Sequence, residues 1–432
     1  MAHLLDTADP DFAAAFDRLL GLRETAQPAV DQVVSGILAD VRARGIAPVL
    51  ELTEKFDRLA LTPETVALSE DDIAAEIAKV PDAERAALEQ AADRIRAYHE
   101  RQLPEDASWT DETGTRLGWR WTPVDRAGLY VPGGLASYPS SVLMNAIPAQ
   151  VAGVRDLVIC APTPDGELNP LVVLAAQLGG VSRIFRVGGA QAVAAMAYGA
   201  DQIPAVDVIT GPGNAYVAEA KRQVFGRVGI DMIAGPSEVL IIAEKDNDPD
   251  WIALDLMAQA EHDADAQSVL ITDDAGFARA VAAAVDARLE TLERTSIAGA
   301  SWRDFGAIIT VADMAEAPAL ANRIAPEHLE IMCADPDALM AEIRHAGAIF
   351  LGQYTPEAIG DYVGGPNHVL PTAGSARFSS GLSVLDFMKR TTVSAVSPEA
   401  MKAVGPAAAT LARSESLEAH ALSVERRLEV LN

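Results

Sequence analysis

Short apolar runs alternate with stretches whose apolar residues recur every three or four positions through most of the chain after about residue 150. DLVICAP, RIFRVGG and VDVITGPGN are short enough for strands and close on Gly or Pro, and LVVLAAQLG, AQAVAAMAYG and AYVAEAKRQVFG follow with helical spacing. Uninterrupted apolar strands joined by helices indicate a parallel sheet covered on both faces. After Gly235-Pro236-Ser237 the pattern restarts: EVLIIAE, QSVLITD, GAIITVA, HLEIMCA and AIFLG read as strands, with helices from Asp248, from 274 and from Asp335. Two consecutive α/β blocks of similar size suggest a duplicated doubly wound unit, which places ligands in the crevice outside the carboxyl ends of the strands.

The flanks read differently. Residues 10 to about 102 are mainly helical, with Ser69 and Asp72 forming an S-x-x-D capping signal ahead of one helix. LGWRWTPV and AGLYVPGG read as two strands ending in a glycine loop, after which Ser140 starts a helix. Beyond Gly352 the chain turns loop-rich through GDYVGGPNHVLPTAGSARFSSG, then returns to helix for an arm ending in AHALSVERRLEVLN.

With 432 residues and 50% hydrophobic content, the chain can bury two or three cores. A net charge of -28 repels nucleic acid and anionic membrane and favours small cationic ligands. Cys160 and Cys333 are the cysteines, too few for a disulfide framework, so a reducing compartment fits and any metal must use nitrogen and oxygen ligands. The start, MAHLLDTADPDF, has no basic region followed by an apolar one, and no window reaches eighteen apolar residues. A cytoplasmic protein is expected.

Candidate chemistry centres on DPDWIALDLMAQAEHD, from Asp248 to Asp263. Asp248 suits an N-cap and Pro249 the first helical position, and Asp255, Gln259 and His262 fall at i, i+4 and i+7 on one face. That face is either a solvated polar surface or half of a metal site. Gln259, His262, Asp361 and His420 together would give two nitrogens and two oxygens, fitting Zn²⁺ and open to Mn²⁺ or Co²⁺, although spacing alone does not bring them together. Glu327 and His328 follow Ala325-Pro326 into a strand; both reach one cleft only if the backbone there is irregular. Two adjacent proton acceptors suit removal of a hydroxyl proton together with activation of water; a capping Glu and a core-edge His is the structural alternative. Gly188-Gly189 and Gly211-Pro212-Gly213-Asn214 are incomplete dinucleotide fingerprints that read more readily as tight strand-to-helix turns, although these expose helix N-termini suited to a phosphate or ribose. His3, His99 and His345 lie in helical or terminal polar settings without an assigned role.

Taken together, GLYVPGGLASYPSSVLMNAIPAQVAGV, GPGNAYVAEAKRQVFGRVGIDMIAGPSE, DLMAQAEHDADAQSVL, APEHLEI and GDYVGGPNHVLPTAGSARFSSGLSVLDFMKR resemble the histidinol dehydrogenase family. The resemblance runs from about residue 119 to the end and implies two similar incomplete Rossmann-like domains with two small extra domains in an intertwined homodimer. The implied division is a mainly helical N-terminal region over 1–125, a first Rossmann-like domain with the NAD contacts over 126–236, a second carrying zinc and catalytic residues over 237–380, and a helical arm over 381–432. Carried over by motif, Gln259, His262, Asp361 and His420 bind one zinc per subunit, and Glu327 and His328 are the proton acceptors. Tyr130, Gln191 and Asn214 contact NAD; Ser237, His368 and Glu415 hold substrate beside His328 and the metal ligands, with Glu415, His368 and His420 taken to reach across the dimer. Ser416 departs from the glycine expected after that Glu.

The reaction this implies is L-histidinol plus two NAD giving L-histidine through a retained aldehyde. His328 takes the hydroxyl proton as the first hydride leaves, Glu327 activates water onto the aldehyde, and His328 serves again in the second oxidation. A paralogous dehydrogenase of another small polyol is the alternative, against which NHVLPTAGSARFSSGLSVLDF keeps the histidinol form. A non-enzymatic zinc-stapled dimer would have no use for Glu327-His328 beside a metal face.

Overall fold

The apolar runs become strands because their side chains are covered on both faces, and the Gly and Pro residues that follow end them. The computed structural model describes residues 2–22, 28–132, 138–233 and 235–431. In chain order its first strands are β1 (His3–Asp6), β2 (Ala107–Thr110), β3 (Arg116–Pro123), β4 (Arg126–Tyr130), β5 (Asp156–Cys160), β6 (Arg183–Phe185), β7 (Val208–Thr210) and β8 (Gly229–Ile230). There follow β9 (Glu238–Ala243), β10 (Gln267–Thr272), β11 (Ala307–Thr310), β12 (His328–Met332), β13 (Ala348–Leu351) and β14 (Met388–Ala395).

The two α/β blocks are one topology used twice. The first sheet runs β6-β5-β4-β7-β8 and the second β11-β10-β9-β12-β13, so each block, counted from its own first strand, has the order 3-2-1-4-5. Every pairing within them is parallel. These are Rossmann-like units of five strands, with the order reversing between β4 and β7 and between β9 and β12. The central strands are buried along their length. Val239 and Ile241 of β9 pack with Ile252 and Leu256 of the helix Pro249–Ala260 on one face, while Leu240 and Ile242 pack with Phe16, Leu320 and Ile324 on the other. Each such side chain contributes about 1.5–3 kcal/mol of burial.

Two elements lie outside the predicted pattern. β1 extends the second sheet by pairing with β11 in parallel, His3 opposite Ala307, so the chain start belongs physically to the second unit. β14 pairs antiparallel with β3 from Met388–Pro123 to Ala395–Arg116, and β2 lines the other side of β3. This small sheet joins the arm to the tryptophan-bearing segment, where Trp109 meets Trp119 edge-on and Arg390 lies over Trp119 and Trp121.

The helix signals hold where capping chemistry is local. Ser69 and Asp72 form both bonds of the capping box. Asp248 accepts from Asp250 N at 2.9 Å with Pro249 in the first turn. The helix predicted from Ser140 runs Pro139–Ala152, and the glycine loop before it, at Gly133-Gly134, lies outside the described residues. No helix among the described residues is long and apolar enough to cross a membrane.

Candidate active site

Glu327 and His328 sit where β12 begins, and the irregular backbone they need is present. The helix Ala317–Ile324 ends on Ala325, which is buried and left-handed at φ 48°, ψ 61°. That conformation costs a non-glycine residue on the order of 1–2 kcal/mol, offset by the packing around it. The backbone of one residue then holds both side chains. Glu238 N–H donates to Glu327 Oε2 at 2.9 Å, and Glu238 O lies 3.0 Å from His328 Nδ1. A carbonyl only accepts, so the Nδ1 of His328 carries the proton and its Nε2 presents a lone pair. That Nε2 is buried with no hydrogen-bond partner and stands 3.9 Å from Asp361 Oδ1. Burial, opposed by Asp361 and the Glu238 carbonyl, pushes His328 down to about 4, so the ring is neutral near pH 7. Burial drives Glu327 well above the usual carboxylate range; the Glu238 amide opposes this, and the charges of Glu238 and Asp361 add to it.

Gln259, His262 and Asp361 converge beside this pair. The predicted single helix face is corrected in one respect: the helix ends at Ala260, and His262 lies in the turn after it. The ring still comes back to within 3.5 Å of Gln259 Nε2 through Nδ1, while its Nε2 is 3.9 Å from Asp361 Oδ2. Gln259 is fully buried and its Oε1 has no hydrogen-bond partner. Asp361, on the short helix Glu357–Tyr362, also has Oδ1 3.7 Å from His368 Nδ1, which corrects the expectation that His368 reaches across a dimer: it joins the cluster of its own chain. An unsatisfied buried amide oxygen, imidazole nitrogens and a shared carboxylate are a donor set that fits a divalent cation of the zinc type. Donor atoms of His328, Glu357 and Asp361 also lie within 4.8 Å of one another. Ser237, half-buried, precedes Glu238 at the same edge. Glu415 and His420 are exposed, and among the described residues neither makes a hydrogen bond or ion pair with the cluster of its own chain.

Sequence spacing misses four contributors. Glu238, Glu330 and Glu357 are buried carboxyls, and Ser141 is a buried hydroxyl 3.3 Å from His368 Nε2. Glu357 Oε1 lies 3.5 Å from His328 Nδ1, and Glu357 N donates to Glu330 Oε1 at 2.6 Å. Burial and the neighbouring negative charges of Asp361, Glu330, Glu327 and Asp255 raise Glu357 strongly; burial, then Asp255, does the same to Glu330. Burial lifts Asp255 to about 7. Such a concentration of acid favours a cation, whether metal or substrate. Glu330 does leave a trace in the sequence: a carboxylate inside the apolar run HLEIM, in a strand buried on both faces, requires a reason.

A correction concerns where ligands would sit. The pair Glu327-His328 opens β12 and Glu238 opens β9, so this cluster occupies the amino-terminal edge of the second sheet, not the carboxyl edge expected of a doubly wound unit. The helix Pro249–Ala260 runs back across the sheet and therefore delivers Gln259 to that same edge. The first sheet follows the general rule. Tyr130 ends β4, Gln191 lies in the first turn of the helix Gly189–Tyr198, and Asn214 caps the helix Ala215–Val224 by accepting from Tyr216 N and Val217 N. Tyr130 Oη accepts from Gly189 N at 3.1 Å, and burial raises its phenol to about 12. His99 is also corrected: instead of a polar setting it is fully buried, with Nδ1 2.8 Å from Ile95 O and Nε2 3.3 Å from Asn367 Nδ2, next to His368.

The sequence model of the histidinol dehydrogenase family matches residues 22–428. The chain is 71% identical to a histidinol dehydrogenase of Ruegeria pomeroyi and 68% to one of Cereibacter sphaeroides, each over 432 residues and the full length of both chains. It is similar in structure to a histidinol dehydrogenase from Elizabethkingia anophelis, with a TM-score of 0.94 and 34% identity, covering 100% of this chain and 99% of that one. A match over nearly the whole chain in sequence and in fold means that this chain belongs to the histidinol dehydrogenase family of oxidoreductases.

Proposed function

We propose that the chain oxidises L-histidinol to L-histidine in two NAD-linked steps through L-histidinaldehyde held in the site, with one zinc ion per subunit. The observation that carries this is the orientation of His328. Its Nδ1 proton is committed to the Glu238 carbonyl, which leaves Nε2 as a neutral base facing the Gln259–His262–Asp361 donors, with Glu327 beside it.

In this proposal Gln259, His262 and Asp361, with His420 of the partner subunit, hold the zinc. When bound, the metal polarises and orients a substrate that carries amino and imidazole nitrogens. His328 Nε2 accepts the hydroxyl proton while the carbinol C–H leaves as hydride to NAD. Glu327, whose buried carboxylate has a raised affinity for protons, takes one from water as that water adds to the aldehyde. His328, once it has released that first proton to solvent, takes a proton from the hydrate as the second hydride leaves. One water is consumed and two NAD are reduced. Tyr130, Gln191 and Asn214 line the dinucleotide crevice, and Ser237 and His368 of the same chain hold the substrate together with Glu415 of the partner subunit. The acidic site suits its cationic side chain and amine.

The exposure of Glu415 and His420 on their own chain supports a reading in which two sites are shared across a homodimer. The experiment is NADH formation with histidinol against a panel of small polyols, using zinc-loaded and chelated enzyme. Activity on histidinol that needs zinc supports the proposal. Turnover of another polyol but not histidinol would favour the paralogous dehydrogenase instead, and full turnover after metal removal would sink the zinc assignment.

A further inference from the structure

Beneath the turn that carries Asn214 lies a buried ion pair outside the chemistry above. Lys221, on the helix Ala215–Val224, pairs with Asp231, their side chains 3% and 1% exposed. Both partners grip a single residue. Lys221 Nζ donates to Gly211 O at 2.9 Å, and Asp231 Oδ2 accepts from Gly211 N at 2.8 Å. Asp231 Oδ1 also accepts from Met232 N at 2.7 Å. Gly211 itself is at φ +113°, and a Cβ there would fall 2.1 Å from Tyr130 O, so its α-carbon is pressed against the end of β4.

A buried charge pair is a weak source of stability, because desolvating both ions consumes most of their attraction and a well-packed apolar pair often does as well. What such a pair does supply is fixed geometry. Here it fixes both peptide groups of the first residue in Gly211-Pro212-Gly213-Asn214. The remainder of the turn has little slack, since a Cβ at Gly213 would meet Val217 Cγ1 at 2.4 Å. We propose that Lys221 and Asp231 are positioning residues for the dinucleotide: by clamping Gly211 they hold Asn214 and the N-terminus of the helix Ala215–Val224 in their binding arrangement. Both are covered by protein and neither touches the ligand. A turn ordered in advance avoids the entropy cost of ordering it on binding. The inference rests on the proposed placement of NAD at this crevice.

Lys221→Met alone strands a buried carboxylate, so the deciding variant is Lys221→Met/Asp231→Asn. It is neutral, keeps the shape of residue 231, and leaves one oxygen to accept from Gly211 N, giving up the bond from Met232 N, while removing the cation from Gly211 O. Calorimetric titration with NAD, with KM for NAD and for histidinol and a melting curve, reads the effect. Expected is an NAD dissociation constant raised about tenfold, the scale of one charge-assisted hydrogen bond. The KM for histidinol and kcat at saturating NAD should hold, with the melting curve confirming that the variant is folded at the assay temperature. NAD binding within twofold of wild type would overturn the inference, and so would equal weakening of NAD and histidinol, the mark of a general loosening. Wild-type enzyme that fails to bind NAD would remove the placement of NAD itself, and that result is visible before any substitution is made.

Discussion

Ser141 Oγ stands 3.3 Å from His368 Nε2, so a hydroxyl in the first parallel-sheet unit holds an imidazole on the loop that follows the second. The other nitrogen of His368 faces Asp361. The hydroxyl on one side and the Asp361 carboxylate, 3.7 Å away on the other, contact the ring from both units at once.

Ser141→Ala should therefore release one side of His368 without disturbing the helix Pro139–Ala152, in which alanine is favourable. Expected is a KM for histidinol raised about five- to tenfold, the scale of one hydrogen bond, with a melting temperature close to wild type. Steady-state kinetics with varied histidinol and with varied NAD make the check. A rise in KM for NAD alone would show that Ser141 serves the dinucleotide side instead.

Glu327→Gln tests the division of labour between the two acceptors. Glutamine keeps an oxygen that accepts from Glu238 N, so the 2.9 Å contact and the local fold survive, whereas the ability to take a proton from water is lost. In the proposed reaction the second oxidation consumes water and the first does not. Conversion of the aldehyde should slow by about 10²–10⁴-fold, the range of general base catalysis, with a much smaller effect on the alcohol step. Single-turnover NADH traces separate the two; equal slowing of both would make Glu327 a shared or structural residue.

Much of the fold is legible in the chain because the parallel strands carry their own signal: EVLIIA and QSVLIT are apolar throughout and are buried throughout. β1 is not legible, since HLLD is four residues with mostly exposed side chains and acquires its strand state from β11. β14 is similar, its MKRTTVSA being exposed along nearly all its length. In the site, Gln259, His262, Asp361, Glu327 and His328 are visible as residue types in telling positions. Their meeting at an amino edge is not, because it depends on strand order and on a helix running back across the sheet, which local spacing does not encode. Glu238 is invisible for a further reason: its hydrogen bonds to Glu327 and His328 come from its backbone, and any residue has one.

Ser416 marks a place where a glycine would serve better. The helix Pro398–Ser414 ends with Ser416 N donating to Arg413 O at 3.0 Å and Leu417 N donating to Ala412 O at 2.8 Å, the paired bonds of a Schellman turn. Ser416 occupies its left-handed position at φ 60°. Ser416→Gly removes the Cβ strain there and should stabilise the arm by roughly 0.5–1 kcal/mol. Thermal unfolding of the two proteins under one set of conditions decides it, and a lower melting temperature for the glycine variant would contradict the account.

The last prediction concerns His420, the proposed fourth ligand. Gln259, His262 and Asp361 meet within one chain, whereas His420 is exposed on a helix, Glu418–Leu431, that packs against the helix Pro398–Ser414. If the arm completes the site of a second copy, two inactive homodimers should rescue each other. His262→Ala and His420→Ala enzymes, unfolded together and refolded with zinc, pair at random, so about half the dimers are mixed and each mixed dimer holds one site with both lesions and one with none. Roughly a quarter of wild-type activity should return. Were His420 to fold back on its own chain, every site would keep one lesion and nothing would return. Mixed dimers demonstrated by mass spectrometry yet without activity would rule out the shared site.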